Sequence, residues 1–222
     1  MKVFYHYCRY GFGNCYVLGA DTPEENGGGG AAGPQTSPPE RAPREALIID
    51  PGEIDGQIVS FIEDNDYKLR GVLITHDHLN HVHGLGTLKR IYRTDIYAVN
   101  SMIREHRTRM VRDGETIVLG SFKIHVISTP GHSSDSAVFL IDRLLFTGDS
   151  LSAGLVGRTA SAYGARVQIS ALQTKILSLP GDFIILPSHG PPSTLEAERR
   201  YNAGIKFYDN NLDHRQRFRI ET

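Results

Sequence analysis

Residues Ile74 to Gly84 read ITHDHLNHVHG, and this stretch constrains the chain more than any other. The apolar run GVLIT predicts a buried strand, so the residues after Thr75 fall on the loop at its end, where a rigid scaffold usually presents chemistry. With extended geometry carried past Thr75, His76 and His78 project to one side and Asp77 to the other. His81 follows three residues on, a spacing that lets the chain turn and present a third imidazole nearby. Imidazole nitrogens bind zinc and similar borderline metals, and a site with an open coordination position supports catalysis. Three histidines within six residues at a strand end are hard to account for as core packing.

Composition narrows the setting of such a site. The 222 residues suit one domain, 1–222, and 40% hydrophobic with 22% charged residues is enough for a sizeable core. Lys plus Arg number 24 and Asp plus Glu 25, so a net charge of −1 gives no basic field for nucleic acid. No apolar run approaches the roughly 20 residues of a membrane helix. The N-terminus MKVFYHYCRYGFGNCY lacks the apolar centre of a signal peptide. A cytoplasmic protein with a small-molecule substrate and no membrane or nucleic-acid partner is expected; the oligomeric state stays open. Cys8 and Cys15 form neither a CxxC nor a disulfide framework.

Along the chain, VFYHYC and NCYVLG predict two strands joined at Gly11-Phe12-Gly13. Residues 21–45, rich in glycine and proline and without a large apolar side chain, predict a disordered insert between strands. IDGQIVSFIEDND has helical spacing, GLGTLKRIYR and SMIREHRTRM are read as helices, and DIYAV as extended. TIVLG, FKIHVIST, SAVFLID and RLLFTG predict successive strands. Val167 to Leu179 predicts an amphipathic helix, DFIILPSHG a strand running into a loop, and TLEAERRYNAGIKFYDNNL a mostly helical end. Two blocks of strands followed by helices imply two sheets packed face to face with helices outside.

The histidine cluster resembles the first metal motif, H-x-H-x-D-H, of the metallo-β-lactamase superfamily. The later signals agree in order: STPGHSSDS places His132 in a Pro-Gly turn, LLFTGDS puts Asp149 at a strand end, and ILPSHGP does the same for His189. IIDPG around Asp50 is similar to an early structural motif, and GLVGRT around Arg158 resembles a loop of glyoxalase II-like members. The resemblance implies an α/β fold, a four-layer αββα sandwich. It assigns His76, His78 and His132 to a first metal site, His81 and His189 to a second, and Asp149 to the bridge between them. Zinc is the implied metal, as one or two ions, with iron or manganese in some branches. It implies hydrolysis of a small thioester or ester by metal-bound hydroxide, since water between two divalent ions loses a proton near neutral pH.

Asn80 stands where the family motif has its Asp, the residue that ligates the second metal and helps orient the nucleophilic water. A neutral amide oxygen binds a divalent cation less well than a carboxylate and takes no proton. One tightly held ion with a weak or absent second one is therefore expected. A mononuclear iron persulfide dioxygenase using His76, His132 and Asp149 is the alternative from another reaction class, and a metal-binding member that has lost catalysis is a third reading. His83 is expected to face solvent or support the cluster from outside, and His125 to be an ordinary strand residue. The basic run Arg104, Arg107, Arg109 and Arg112 is read as a solvated helix face, and Tyr163 as a residue that can border the pocket.

Overall fold

The computed structural model describes residues 1–20 and 44–208. The stretch read as an insert at 21–45 lies outside them apart from Arg44 and Glu45, which open a strand. Strands β1 (Lys2–Tyr7), β2 (Asn14–Gly19), β3 (Arg44–Ile49), β4 (Tyr67–Leu73), β5 (Ile96–Ala98), β6 (Met102–Ile103), β7 (His106–Arg107) and β8 (Arg109–Met110) make up the first half. The second half holds β9 (Thr116–Leu119), β10 (Phe122–Ser128), β11 (Ala137–Ile141), β12 (Leu144–Gly148), β13 (Leu151–Ser152), β14 (Leu155–Val156), β15 (Ile184–Pro187) and β16 (Ser193–Thr194). One six-stranded sheet runs β1-β2-β3-β4-β5-β8 and the other β16-β15-β12-β11-β10-β9. The chain also forms helices α1 (Gly56–Glu63), α2 (Leu79–Val82), α3 (Leu85–Ile91), α4 (Ala162–Ala171) and α5 (Leu195–Tyr201).

The period-two alternation of a strand sorts the side chains into layers. On β2, Cys15 and Val17 pack with Ile58 and Ile62 of α1 and Leu88 of α3, whereas Tyr16 and Leu18 turn the other way. Those two meet Phe139 and Phe146 of the second sheet between the sheets. On the far face of the second sheet, Val138, Leu145 and Ile185 pack against Ile169 of α4 and Leu195 of α5. Three apolar interfaces separate four layers, so the chain is an αββα sandwich. Strands buried on both faces are apolar almost throughout, which is why ALII and AVFLI carry so few polar residues. Among the described residues no helix is long and apolar enough to cross a membrane.

Three elements depart from the sequence reading. Residues 101–110 are not a helix: β6 and β7 pair as a hairpin with Met102 opposite Arg107, and β8 joins β5 in parallel. Arg104 takes a left-handed backbone, φ 52°, at the turn, which a helix does not allow. The basic run is thus a loop-and-strand surface, with Arg104 beside Asp77 at 3.3 Å and Arg109 beside Asp95 at 2.7 Å. The helix expected from Val167 begins at Ala162, because the Ser161 hydroxyl accepts from Gly164 N at 3.0 Å and caps it. It finishes in a π turn, with Leu177 N donating to Leu172 O at 2.8 Å. The last helix breaks at Asn202, whose extended backbone lets its side chain accept from Ile205 N and donate to Leu155 O.

Glu45 ties the two sheets together. It accepts from Arg70 Nε at 2.7 Å within its own sheet and from Ser121 N at 2.6 Å in the β9–β10 turn. Burial works against its charge, but the Ser121 N–H and the Arg70 guanidinium hold the carboxyl below its ordinary 4.5. A depressed carboxyl pKa stabilises the fold above the unfolded-state value, and that contribution is lost as pH falls through the folded-state value. Glu45→Gln is expected to cost about 1 kcal/mol at neutral pH. The difference from wild type should vanish when urea unfolding is repeated at a pH below the carboxylate range.

Candidate metal centre

The site is built on Asp50, at the end of β3. Its backbone is left-handed, φ 48°, which turns the carboxylate across the sheet edge. Asp50 Oδ1 accepts from Thr75 N at 2.8 Å, and Oδ2 accepts from the Thr75 hydroxyl at 2.6 Å and the Ser188 hydroxyl at 2.8 Å. The same Oδ2 lies 3.3 Å from His81 Nδ1. This carboxylate therefore gathers the ends of β4 and β15 and the short helix α2 around one point.

These contacts fix the imidazole tautomers. Thr75 gives its only hydroxyl hydrogen to Asp50, so toward His76 Nδ1 at 3.1 Å it can only accept. The proton of His76 then sits on Nδ1, and Nε2 keeps its lone pair. His81 Nδ1 makes no hydrogen bond of its own, but the Asp50 carboxylate 3.3 Å away is a negative charge that favours the proton on that nitrogen. His132 Nδ1 donates to Arg158 O at 2.6 Å, and His189 Nδ1 donates to Phe12 O at 2.9 Å. Four imidazoles thus aim a free Nε2 lone pair inward. His78 is reversed, and its Nδ1 stands 2.9 Å from His76 Nε2 and 3.0 Å from His132 Nε2.

Asp149 follows Gly148 at the end of β12 and completes the cluster. Its Oδ2 lies 3.4 Å from His132 Nε2 and 3.9 Å from His76 Nε2. Its Oδ1 lies 3.6 Å from both His81 Nε2 and His189 Nε2, and is buried with no donor. Two ligand sets result: His76, His78, His132 and Asp149, and then His81, Asp149 and His189. Within each set the ligand atoms lie within 4.8 Å of one another.

The first set fits a divalent cation. Lone pairs facing each other at about 3 Å repel unless a proton or a metal sits among them. Burial pushes the His76 pKa far below the imidazole range, and the neighbouring His81, His132 and His78 push it further. His78 is lowered by burial and then by His132 and His81. Protonation of His76 and His78 is thus disfavoured, and with His132 Nε2 and the Asp149 carboxylate they form a donor set suited to zinc. At His81 burial works the other way from its partners: the facing Asp50 carboxylate, with Asp149, outweighs it and raises the pKa. The cluster opens on a cavity of about 370 Å³ lined by His132, Asp149, Leu155, Arg158 and His189 among others.

All six residues expected to ligate metal, His76, His78, His81, His132, Asp149 and His189, are brought together. Asn80 joins them, its Nδ2 2.9 Å from His81 Nε2 and 3.0 Å from His189 Nε2. Asp77 turns away as alternation requires, its backbone N–H donating to Asp135 at 2.9 Å. His83 is exposed and stacks on Tyr10 at 4.0 Å, while His125 is a strand residue bonded to Thr116. Tyr163 is exposed beside the Arg166 guanidinium and is not among the residues lining the cavity. The carbonyls of Phe12 and Arg158 and the hydroxyl of Thr75, which set the tautomers, were not among the residues picked out from the sequence. A carbonyl leaves no trace in residue type, but a Thr directly before the first His does.

Two helix-flanked sheets with a histidine and aspartate cluster at their strand ends define a class of metal-binding α/β proteins. The chain belongs to the metallo-beta-lactamase superfamily, whose sequence model matches residues 41–189. It is 31% identical over 183 residues to the hydroxyacylglutathione hydrolase GloC of Haemophilus influenzae, covering 72% of this chain and 86% of that one. It is 30% identical over 171 residues to the human mitochondrial persulfide dioxygenase ETHE1, covering 73% and 67% respectively. The fold matches the crystal structure of the BLEG-1 B3 metallo-beta-lactamase with a TM-score of 0.72 at 21% identity, over 92% of this chain and 99% of that one.

Proposed function

We propose that this protein is a metal-dependent hydrolase of a small thioester or ester, acting in the cytoplasm on a diffusible substrate. The observation that carries this reading is the set His76, His78, His132 and Asp149, with tautomers fixed from behind and an open cavity in front. These four residues would hold the cation, zinc by donor type, with iron or manganese suited to the same set. When bound, the ion supplies an acidified water and an electrophile for the substrate carbonyl. The remaining steps fall to the chain. Asp149 Oδ1 accepts no hydrogen bond and borders the cavity, so it can hold a proton released there. Arg158 on the cavity wall offers a positive charge to an anionic substrate group, and Leu155 supplies an apolar contact.

No side chain of the site competes as nucleophile. The Ser133 hydroxyl is paired with the Ser136 hydroxyl at 2.7 Å, and both cysteines are buried. Likeness to GloC supports a hydrolase of an acylated thiol, and the chain spans more of that relative than of ETHE1.

The test is a panel of acyl thioesters and esters assayed before and after chelation. Turnover should disappear with chelator and return with zinc, manganese or iron. His132→Ala should lower kcat/KM by about 10²-fold or more, because it removes a ligand, and lost outer partners alone cost about 10–100-fold. His83→Ala should change it little. Absence of metal-dependent hydrolysis across the panel, with oxygen consumed on a persulfide by the iron-loaded protein, would replace this reading with a dioxygenase.

A further inference from the structure

Resting on the reading that the first set holds a cation, we infer that the Asn80 amide closes the second set, so that the protein carries one ion where its ligands suggest two. The hydrogen-bond count leads there. His81 Nδ1 faces Asp50 and His189 Nδ1 donates to Phe12 O, so both Nε2 atoms are acceptors. Asn80 Nδ2 bears two hydrogens and stands 2.9 and 3.0 Å from those two acceptors. Each hydrogen has one lone pair to meet. The reversed amide would set Oδ1 against two lone pairs, so the bonding pattern selects the orientation with nitrogen inward.

A cation entering this set must undo both hydrogen bonds and turn the amide over to gain a neutral oxygen. The set has no negative charge of its own beyond Asp149, whose Oδ2 already faces the first set. Asp149 Oδ1, 3.6 Å from each nitrogen, is too far to bond either and stays buried without a donor.

Asn80 has little freedom to move aside. A Cβ added at Gly11, φ 71°, would come within 2.2 Å of Asn80 Cβ, and one at Gly52 within 2.0 Å of Asn80 O. The Gly11–Gly13 turn that holds the tautomer of His189 is thus also the wall behind Asn80. The two glycine contacts and the two amide bonds make this a built arrangement.

The experiment has two readouts that do not depend on activity. Wild-type protein loaded with excess zinc and desalted should contain one ion per chain by native mass spectrometry, and Asn80→Asp should contain two. In that variant the affinity for the second equivalent should rise by about 10²-fold or more, as expected when a neutral ligand becomes charged. His189→Ala should leave the wild-type count unchanged but return Asn80→Asp to one ion. On nitrogen-15-labelled wild type, scalar coupling across hydrogen bonds should link Asn80 Nδ2 to both His81 Nε2 and His189 Nε2. Two ions in wild type, one of them lost in His189→Ala, or a missing coupling to either histidine, would overturn the inference. Both couplings with no ion bound would keep the closed second set and refute the reading of the first.

Discussion

Asp149→Ala is expected to abolish metal retention and hydrolysis together. Asp149 is the only carboxylate in either ligand set, so its removal leaves a cation with neutral nitrogens alone. Losing a hydrogen-bond partner of a ligand typically costs about 10–100-fold in affinity, so losing the one charged ligand should cost on the order of 10³-fold or more. The same change removes Asp149 Oδ1, the acceptor at the cavity wall. Asp149→Asn keeps the shape and one acceptor oxygen but not the charge, and should lie closer to Ala than to wild type in both metal content and kcat/KM. The fold should persist, because Asp149 projects from the edge of the sandwich and contributes nothing to the three apolar interfaces. A variant that retains stoichiometric zinc yet loses turnover would confine Asp149 to proton handling. One that retains both would remove it from the site.

Much of this fold is readable in the chain because its strands are sorted by the simplest rule of a pleated sheet. Cys15 and Val17 face helices while Tyr16 and Leu18 face the other sheet, and neighbouring strands repeat the pattern. The cluster is equally legible, since histidines placed two and three apart after an apolar run have few structural uses. Residues 101–110 mislead because Met102, Ile103, His106 and Met110 fit a helical period. Their placement is decided elsewhere, by the free edge of β5, which recruits β8 in parallel. Local spacing cannot see that edge. Asn80 was legible as a departure from a motif, but not what it does. Its two hydrogens matter only because Asp50 and the Phe12 carbonyl, 30 and 68 residues away in sequence, leave both histidine nitrogens as acceptors.

Asp50→Asn should separate folding from metal binding, and Asp50→Ala should lose both. Asp50, Thr75 and His81 are each 1% exposed and Ser188 is 2% exposed, so no water replaces a lost acceptor. In Asp50→Ala, Thr75 N–H and the Thr75 and Ser188 hydroxyls lose their acceptor at once, and His81 Nδ1 loses the charge it faces. Breaking a buried charged network of this kind costs about 3–5 kcal/mol, which should appear as a large drop in the urea midpoint. Asparagine fills the same space with one oxygen and one amide nitrogen. If its oxygen keeps Thr75 N–H, its NH2 group faces the Thr75 and Ser188 hydroxyls and His81 Nδ1, none of which can donate to it, and its two hydrogens favour an acceptor at His81 Nδ1. The Thr75 hydroxyl hydrogen is then released from Asp50 and can donate to His76 Nδ1, 3.1 Å away. Both His76 and His81 would carry their proton on Nε2, with no lone pair for a metal. Asp50→Asn is therefore expected to unfold only slightly earlier than wild type while losing zinc affinity by about 10²-fold, at the upper end for a ligand's hydrogen-bond partner. Nitrogen-15 shifts of the imidazoles should report the exchanged tautomers directly. Unchanged shifts and unchanged affinity in a folded Asp50→Asn protein would show that Asp50 holds the strands together without setting the state of the histidines.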